Sequence, residues 1–102
     1  MSYQFRQFAI PEHMLAALTG YIERGVPVGD FLTAVLENNL SEACGRADDE
    51  NLANLPAYVA YLYNEAPSQC HGSPEKVRAW LAHFARRRDA AIYDTDAQAS
   101  PE

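Results

Sequence analysis

Two prolines seven residues apart, Pro67 and Pro74, constrain this chain more than any other feature. The residue before a proline is pushed out of the α region, so Ala66 must end the helix that Tyr61-Leu62-Tyr63-Asn64-Glu65 is finishing. In Ser73-Pro74-Glu75 the serine can cap, the proline fits a first helical turn, and the glutamate faces the positive end of the helix dipole. One helix, a tight corner and a second helix are thereby specified between Tyr61 and Glu75. The same stretch gathers aromatic, thiol, imidazole and carboxylate groups, so it is at once a corner and a candidate site.

Helical periodicity fills the chain on either side. Met14, Leu15, Leu18, Tyr21 and Ile22 recur behind Pro11 and Glu12, and Gly25 stops them, which predicts a helix over 11–24. Val26-Pro27-Val28-Gly29 is a turn. Asp30 opens a second helix whose stripe is Phe31 or Leu32, Val35, Leu36, Leu40 and Ala43, with Asn38-Asn39 interrupting it and Gly45 ending it. Asp48-Asp49-Glu50 starts a third, whose seam is Leu52, Leu55, Val59, Leu62 and Ala66, with a kink or restart expected at Pro56. With that seam facing the core, Tyr58 and Tyr61 fall on one flank and Tyr63 on the other. The fourth helix carries Val77, Trp80, Leu81 and Phe84 at i, i+3, i+4 and i+7, then runs into Arg86-Arg87-Arg88.

Ahead of these helices, Tyr3, Phe5, Phe8 and Ile10 alternate with polar residues but slip phase between Phe5 and Phe8. A lone strand has no partner in a helical chain, so an extended apolar arm lying on the bundle is expected; pairing with a second copy leaves a homodimer open. The fold class is all-α: a single compact domain of about four helices over residues 11–92, helices two and three broken or kinked. An extended N-terminal arm (1–10) precedes it and a flexible acidic tail (93–102) follows.

Composition narrows the function classes. A chain of 102 residues supports one core, and 48% hydrophobic content argues against disorder. No run of about 18 apolar residues is present, so no membrane partner is expected. The opening Met1-Ser2-Tyr3-Gln4-Phe5-Arg6 lacks the basic-then-apolar order of a secretory signal. Cys44 and Cys70 are too few for a disulfide scaffold, which makes reduced thiols and a cytoplasmic location the expectation. The net charge of −6 is uneven: residues 1–73 carry −6, residues 74–88 carry +4 and residues 89–102 carry −4. Such an acidic surplus disfavours nucleic acid as a partner and suits a basic protein surface.

The sequence holds no phosphate-cradling glycine loop, nucleophile elbow or His-Glu-x-x-His helix. Cys70, with His71 or His83 as base and Glu65 to orient it, has nucleophilic potential because the helix starting beyond it favours a thiolate. Its simpler role is to plug the corner, as a small apolar thiol commonly does. Structural zinc sites use closely spaced ligand pairs, and Cys70-His71 has no second pair to answer it. The expectation is a non-enzyme with no metal or cofactor. Candidate partner-binding residues are the acidic Glu37, Glu42, Asp48, Asp49 and Glu50, and the aromatic flank and corner, Tyr58, Tyr61, Glu65 and His71. As an alternative, Lys76, Arg78, Arg86, Arg87 and Arg88 suit a small regulatory DNA- or RNA-binding module, although consecutive arginines on a helix do not share a face.

One combination spans about residues 9–84. Its first half is Ile10-Pro11, Met14, Gly20-Tyr21-Ile22-Glu23, Gly25, Pro27, Gly29-Asp30-Phe31-Leu32, Ala34-Val35-Leu36, Asn38 and Leu40. Its second half is Ala43, Arg46-Ala47-Asp48, Leu62-Tyr63-Asn64-Glu65-Ala66-Pro67, Cys70, Gly72-Ser73-Pro74-Glu75 and Trp80. It resembles a family of small bacteriophage and prophage proteins. The resemblance implies a setting, the cytoplasm of an infected or lysogenic host cell, and no reaction. It also implies that position 71, commonly aromatic in the family, tolerates exchange, which weighs against catalysis by His71. The function expected from setting, size and charge is a non-enzymatic phage accessory protein that binds a host protein. It would inhibit a host defence system in the anti-CRISPR manner or mimic the charge of nucleic acid.

Overall fold

The phase slip between Phe5 and Phe8 is a chain reversal. In the computed structural model, which describes residues 3–99 and the side chains of residues 3–88, Arg6 takes a left-handed φ of 57° and turns the chain back through Gln7. Strands β1 (Tyr3–Phe5) and β2 (Phe8–Ile10) pair antiparallel, Tyr3 opposite Ile10, Gln4 opposite Ala9 and Phe5 opposite Phe8. The expected extended arm is therefore corrected to a hairpin: each half supplies the other's partner strand, so the backbone groups are paired without a second copy.

Six α-helices follow among the described residues: α1 (Glu12–Arg24), α2 (Asp30–Leu36), α3 (Leu40–Arg46), α4 (Asp49–Ala53), α5 (Leu55–Glu65) and α6 (Pro74–Ala99), with a 3₁₀ turn at Ser68–Cys70. The chain is mainly helical, as its periodicity predicts, and the two anticipated breaks are full separations. At the first, Asn38 adopts a left-handed φ of 62°, and Asn39 caps α3 by accepting the Glu42 N–H at 3.2 Å. At the second, α4 stops on Asn54, and Pro56 sits in the first turn of α5, where a missing N–H has no partner to lose. Asp48 caps α4 by accepting the Asn51 N–H at 2.8 Å. The backbone of α6 continues to Ala99, beyond the residue 92 at which the helical domain was expected to end. Residues 100–102 of the expected tail lie outside the described residues.

Ile10, Leu18, Tyr21, Leu36, Tyr58 and Cys70 are the largest fully buried side chains; Val77 of α6 joins that core, and Trp80 and Leu81 pack on it. Three hydrogen bonds tie the corner to it. The Tyr21 hydroxyl donates to the Cys70 carbonyl at 2.8 Å, the Gly72 N–H to the Leu36 carbonyl at 2.7 Å, and Trp80 Nε1–H to the Tyr21 carbonyl at 3.0 Å. The first pairs the hydroxyl of fully buried Tyr21, which burial would otherwise leave without a partner.

The hairpin decides which side of α5 points inward. Both strands lie against α5, with Tyr3 edge-on to Tyr61 at 5.2 Å between ring centroids and the Ala9 N–H donating to Asn54 Oδ1 at 2.9 Å. Covering that flank turns Ala57, Tyr58 and Leu62 into the core face and leaves two members of the expected seam, Leu52 and Val59, 46% and 56% exposed. Tyr58, expected on an accessible flank, is corrected to a core residue. Its ring stands edge-on to Phe31 at 5.2 Å, and its hydroxyl donates to Asn51 Oδ1 at 2.7 Å.

Candidate functional site

The corner places its reactive groups where their chemistry is suppressed. Cys70 is wholly buried, and that burial pushes its thiol up to about 11 from an ordinary 9.0, so the nearby start of α6 does not yield a thiolate at neutral pH. His71 is half-buried; desolvation, and then the Lys76 ammonium, hold its imidazole below the usual range. Among the described residues no three His, Cys, Asp or Glu side chains converge as metal ligands would. Iodoacetamide at pH 8 is expected to alkylate exposed Cys44 and spare Cys70 until the chain is unfolded, as mass spectrometry of the digested protein would read. Equal labelling of the two thiols in the native protein would contradict this burial.

The sequence-selected charges do not assemble into one site. Glu37 follows α2; Glu42 approaches Arg46 at 3.8 Å, and Arg46 bonds Asp30 at 3.3 Å. Asp48 is occupied as a cap, whereas Asp49 and Glu50 are exposed and join no ion pair among the described residues. Glu65 is exposed at the end of α5, and Tyr61 is half-buried beneath Tyr3. On α6, Lys76 donates to the Ser68 carbonyl at 3.2 Å, Arg78 lies 3.7 Å from Glu75, and Arg88 donates to the Arg24 carbonyl at 3.1 Å. Arg86 and Arg87 are exposed. At about 100° per residue these five cations project around the helix rather than along one face.

What the structure does assemble is an apolar surface on the outer side of α5. Val59 is 56% exposed and Tyr63 85%, and Leu40 of α3, across a groove, is 66% exposed. Three grooves meet at Val59. The largest, about 440 Å³, runs between α5 and the hairpin and is lined by Phe5, Pro56, Val59, Ala60, Tyr63 and Asn64. A second, about 260 Å³, reaches from Val59 and Tyr63 over Val35 and Asn38 to His71. The third, about 40 Å³, passes between Val59, Leu55 and Leu40. No carboxylate, Lys or Arg lines these grooves, and the environment of His71, their one imidazole, favours the neutral ring.

The periodicity reading misses this face because it assigns Val59 to the core. A second signal was present: no charged residue occurs from Asn51 through Asn64. A surface helix normally carries charge on its outward side, so a run with no charge on any side points to burial or to a partner. No helix among the described residues is long and apolar enough to cross a membrane. No protein-family model, curated protein or solved structure matches the chain.

Proposed function

We propose that this protein is a non-enzymatic binding protein whose docking surface is the outer face of α5. In the setting implied by the family resemblance, it is a bacteriophage or prophage accessory protein and its partner is a host protein. Interference with a host defence system is the form of binding that setting, size and charge favour. The observation that carries the docking surface is the exposure of Val59 and Tyr63 on a helical run without a single charge. Contiguous apolar surface of this kind marks interaction sites, and a tyrosine at its edge supplies area at low entropic cost. The carboxylates of α3 and α4 add the steering that brings a basic partner to an acidic protein.

Affinity capture from an infected host lysate, run in parallel with the wild type, Val59→Asp and Tyr63→Ala, tests the reading. Both side chains are largely exposed, so each variant should keep its stability within about 0.5 kcal/mol. Val59→Asp should lower recovery of a stoichiometric partner at least tenfold, because it buries an unpaired carboxylate in the interface, and Tyr63→Ala should lower it severalfold. Undiminished recovery by both folded variants would move the docking surface elsewhere.

A further inference from the structure

We infer that the outer face of α5 receives an amphipathic helix of the partner, apolar along one side and carrying Lys or Arg at the end that lies over α3 and α4. This rests on the proposed docking role of that face and names the kind of segment it fits. Leu55 and Tyr63 are eight residues apart on α5, about 12 Å, the rise of little more than two helical turns. An incoming helix spans that distance with anchors at i, i+4 and i+7, one for each groove that meets at Val59. The groove linings carry no formal charge, so the anchors must be apolar; a buried charge would find no counter-ion there.

Charge sets the orientation. Residues 30–66 hold seven carboxylates against Arg46 alone, and Arg46 is already engaged by Asp30 and Glu42. Asp49 and Glu50, just before exposed Leu52, join no ion pair among the described residues. The other end of α5 carries a single carboxylate, Glu65, and the corner that follows it holds the Lys76 ammonium beside Gly72. Basic residues on the incoming helix therefore belong over α3 and α4. A second copy of this chain is disfavoured as occupant, since it brings the same surplus of carboxylates to the contact.

A display library of helical peptides about 16 residues long, panned on the full chain and counter-selected on Val59→Asp, tests this. Enriched peptides should show apolar residues at i, i+4 and i+7 with Lys or Arg clustered towards one end. Asp49→Asn with Glu50→Gln should weaken those peptides at least threefold at low salt, and the difference should vanish at high salt, where surface charges are screened. Asp48 is left intact because its carboxylate caps α4. Val59-dependent peptides that are neutral, acidic or proline-rich would overturn the basic-helix assignment while keeping the face. A selection yielding nothing that depends on Val59 would overturn both. A concentration-dependent dimer in sedimentation, abolished by Val59→Asp, would hand the face to a second copy and also overturn the inference.

Discussion

Tyr58→Ala is expected to destabilise the protein by about 3–5 kcal/mol, the usual loss on truncating a buried aromatic. Domains of this size are stable by only about 5–15 kcal/mol, so the urea midpoint should fall far enough to leave a measurable unfolded fraction without denaturant. Two losses combine. The ring leaves a cavity beside Phe31, and Asn51, buried on the other side, loses the donor to its Oδ1. Tyr58→Phe separates them, since it keeps the ring and should cost about 1–2 kcal/mol for the orphaned acceptor. The same hydroxyl gives an alkaline signature. Burial first, then Glu50 and Asp48, push Tyr58 up from 10.0 to about 12. Between those values the unfolded chain releases a proton that the native state retains, so stability present below pH 10 is lost as pH rises. Burial displaces Tyr21 and Cys70 upward as well, so Tyr58→Phe should make the decline shallower without abolishing it. A Tyr58→Ala midpoint close to wild type would refute the inward orientation of α5 from which the apolar outer face follows.

That orientation is also where sequence and structure part. Most helix boundaries were legible because they depend on local chemistry: Pro67 and Pro74 around the corner, Gly25 after α1, the break at Asn38-Asn39 and the acidic start at Asp48. The rotation of α5 was not, because it depends on a contact between segments about fifty residues apart in the chain, the hairpin against Tyr61 and Asn54. Without that hairpin, Leu52, Leu55, Val59, Leu62 and Ala66 are a better core stripe than the face that is actually buried. The hairpin was missed for a local reason. Its turn is Arg6-Gln7, without the glycine or asparagine that usually marks a left-handed turn residue, and only the phase slip hints at it. Two of the selected site residues, Tyr58 and Tyr61, were thus chosen from the side of α5 that the fold covers. The absence of charge from Asn51 through Asn64 needed no knowledge of the hairpin and pointed to the exposed face directly.

Gly25→Ala is expected to be the second severe substitution, and it should separate folding from binding. Gly25 closes α1 at φ 65°, its N–H donating to the Tyr21 carbonyl at 2.9 Å, and a Cβ built there would lie 2.3 Å from Cβ and 2.5 Å from Cγ of Phe84. An L side chain in the left-handed region costs about 1–2 kcal/mol, and overpacking adds about 1–3 kcal/mol. The atoms in the way sit at the base of the Phe84 side chain, so relief requires α6 itself to shift from α1. Gly29→Ala is the matched control, because φ there is −73° and nothing lies within 4 Å of the new Cβ. Its midpoint should change by less than about 0.5 kcal/mol. The Gly25–Phe84 contact joins α1 to α6 and includes none of the residues lining the grooves around Val59. At a temperature where Gly25→Ala remains mostly folded, partner recovery per folded molecule should therefore match wild type, whereas Val59→Asp should do the reverse, with normal stability and recovery at least tenfold lower. A Gly25→Ala variant that loses recovery while folded would mean that the docking surface extends onto the α1–α6 junction.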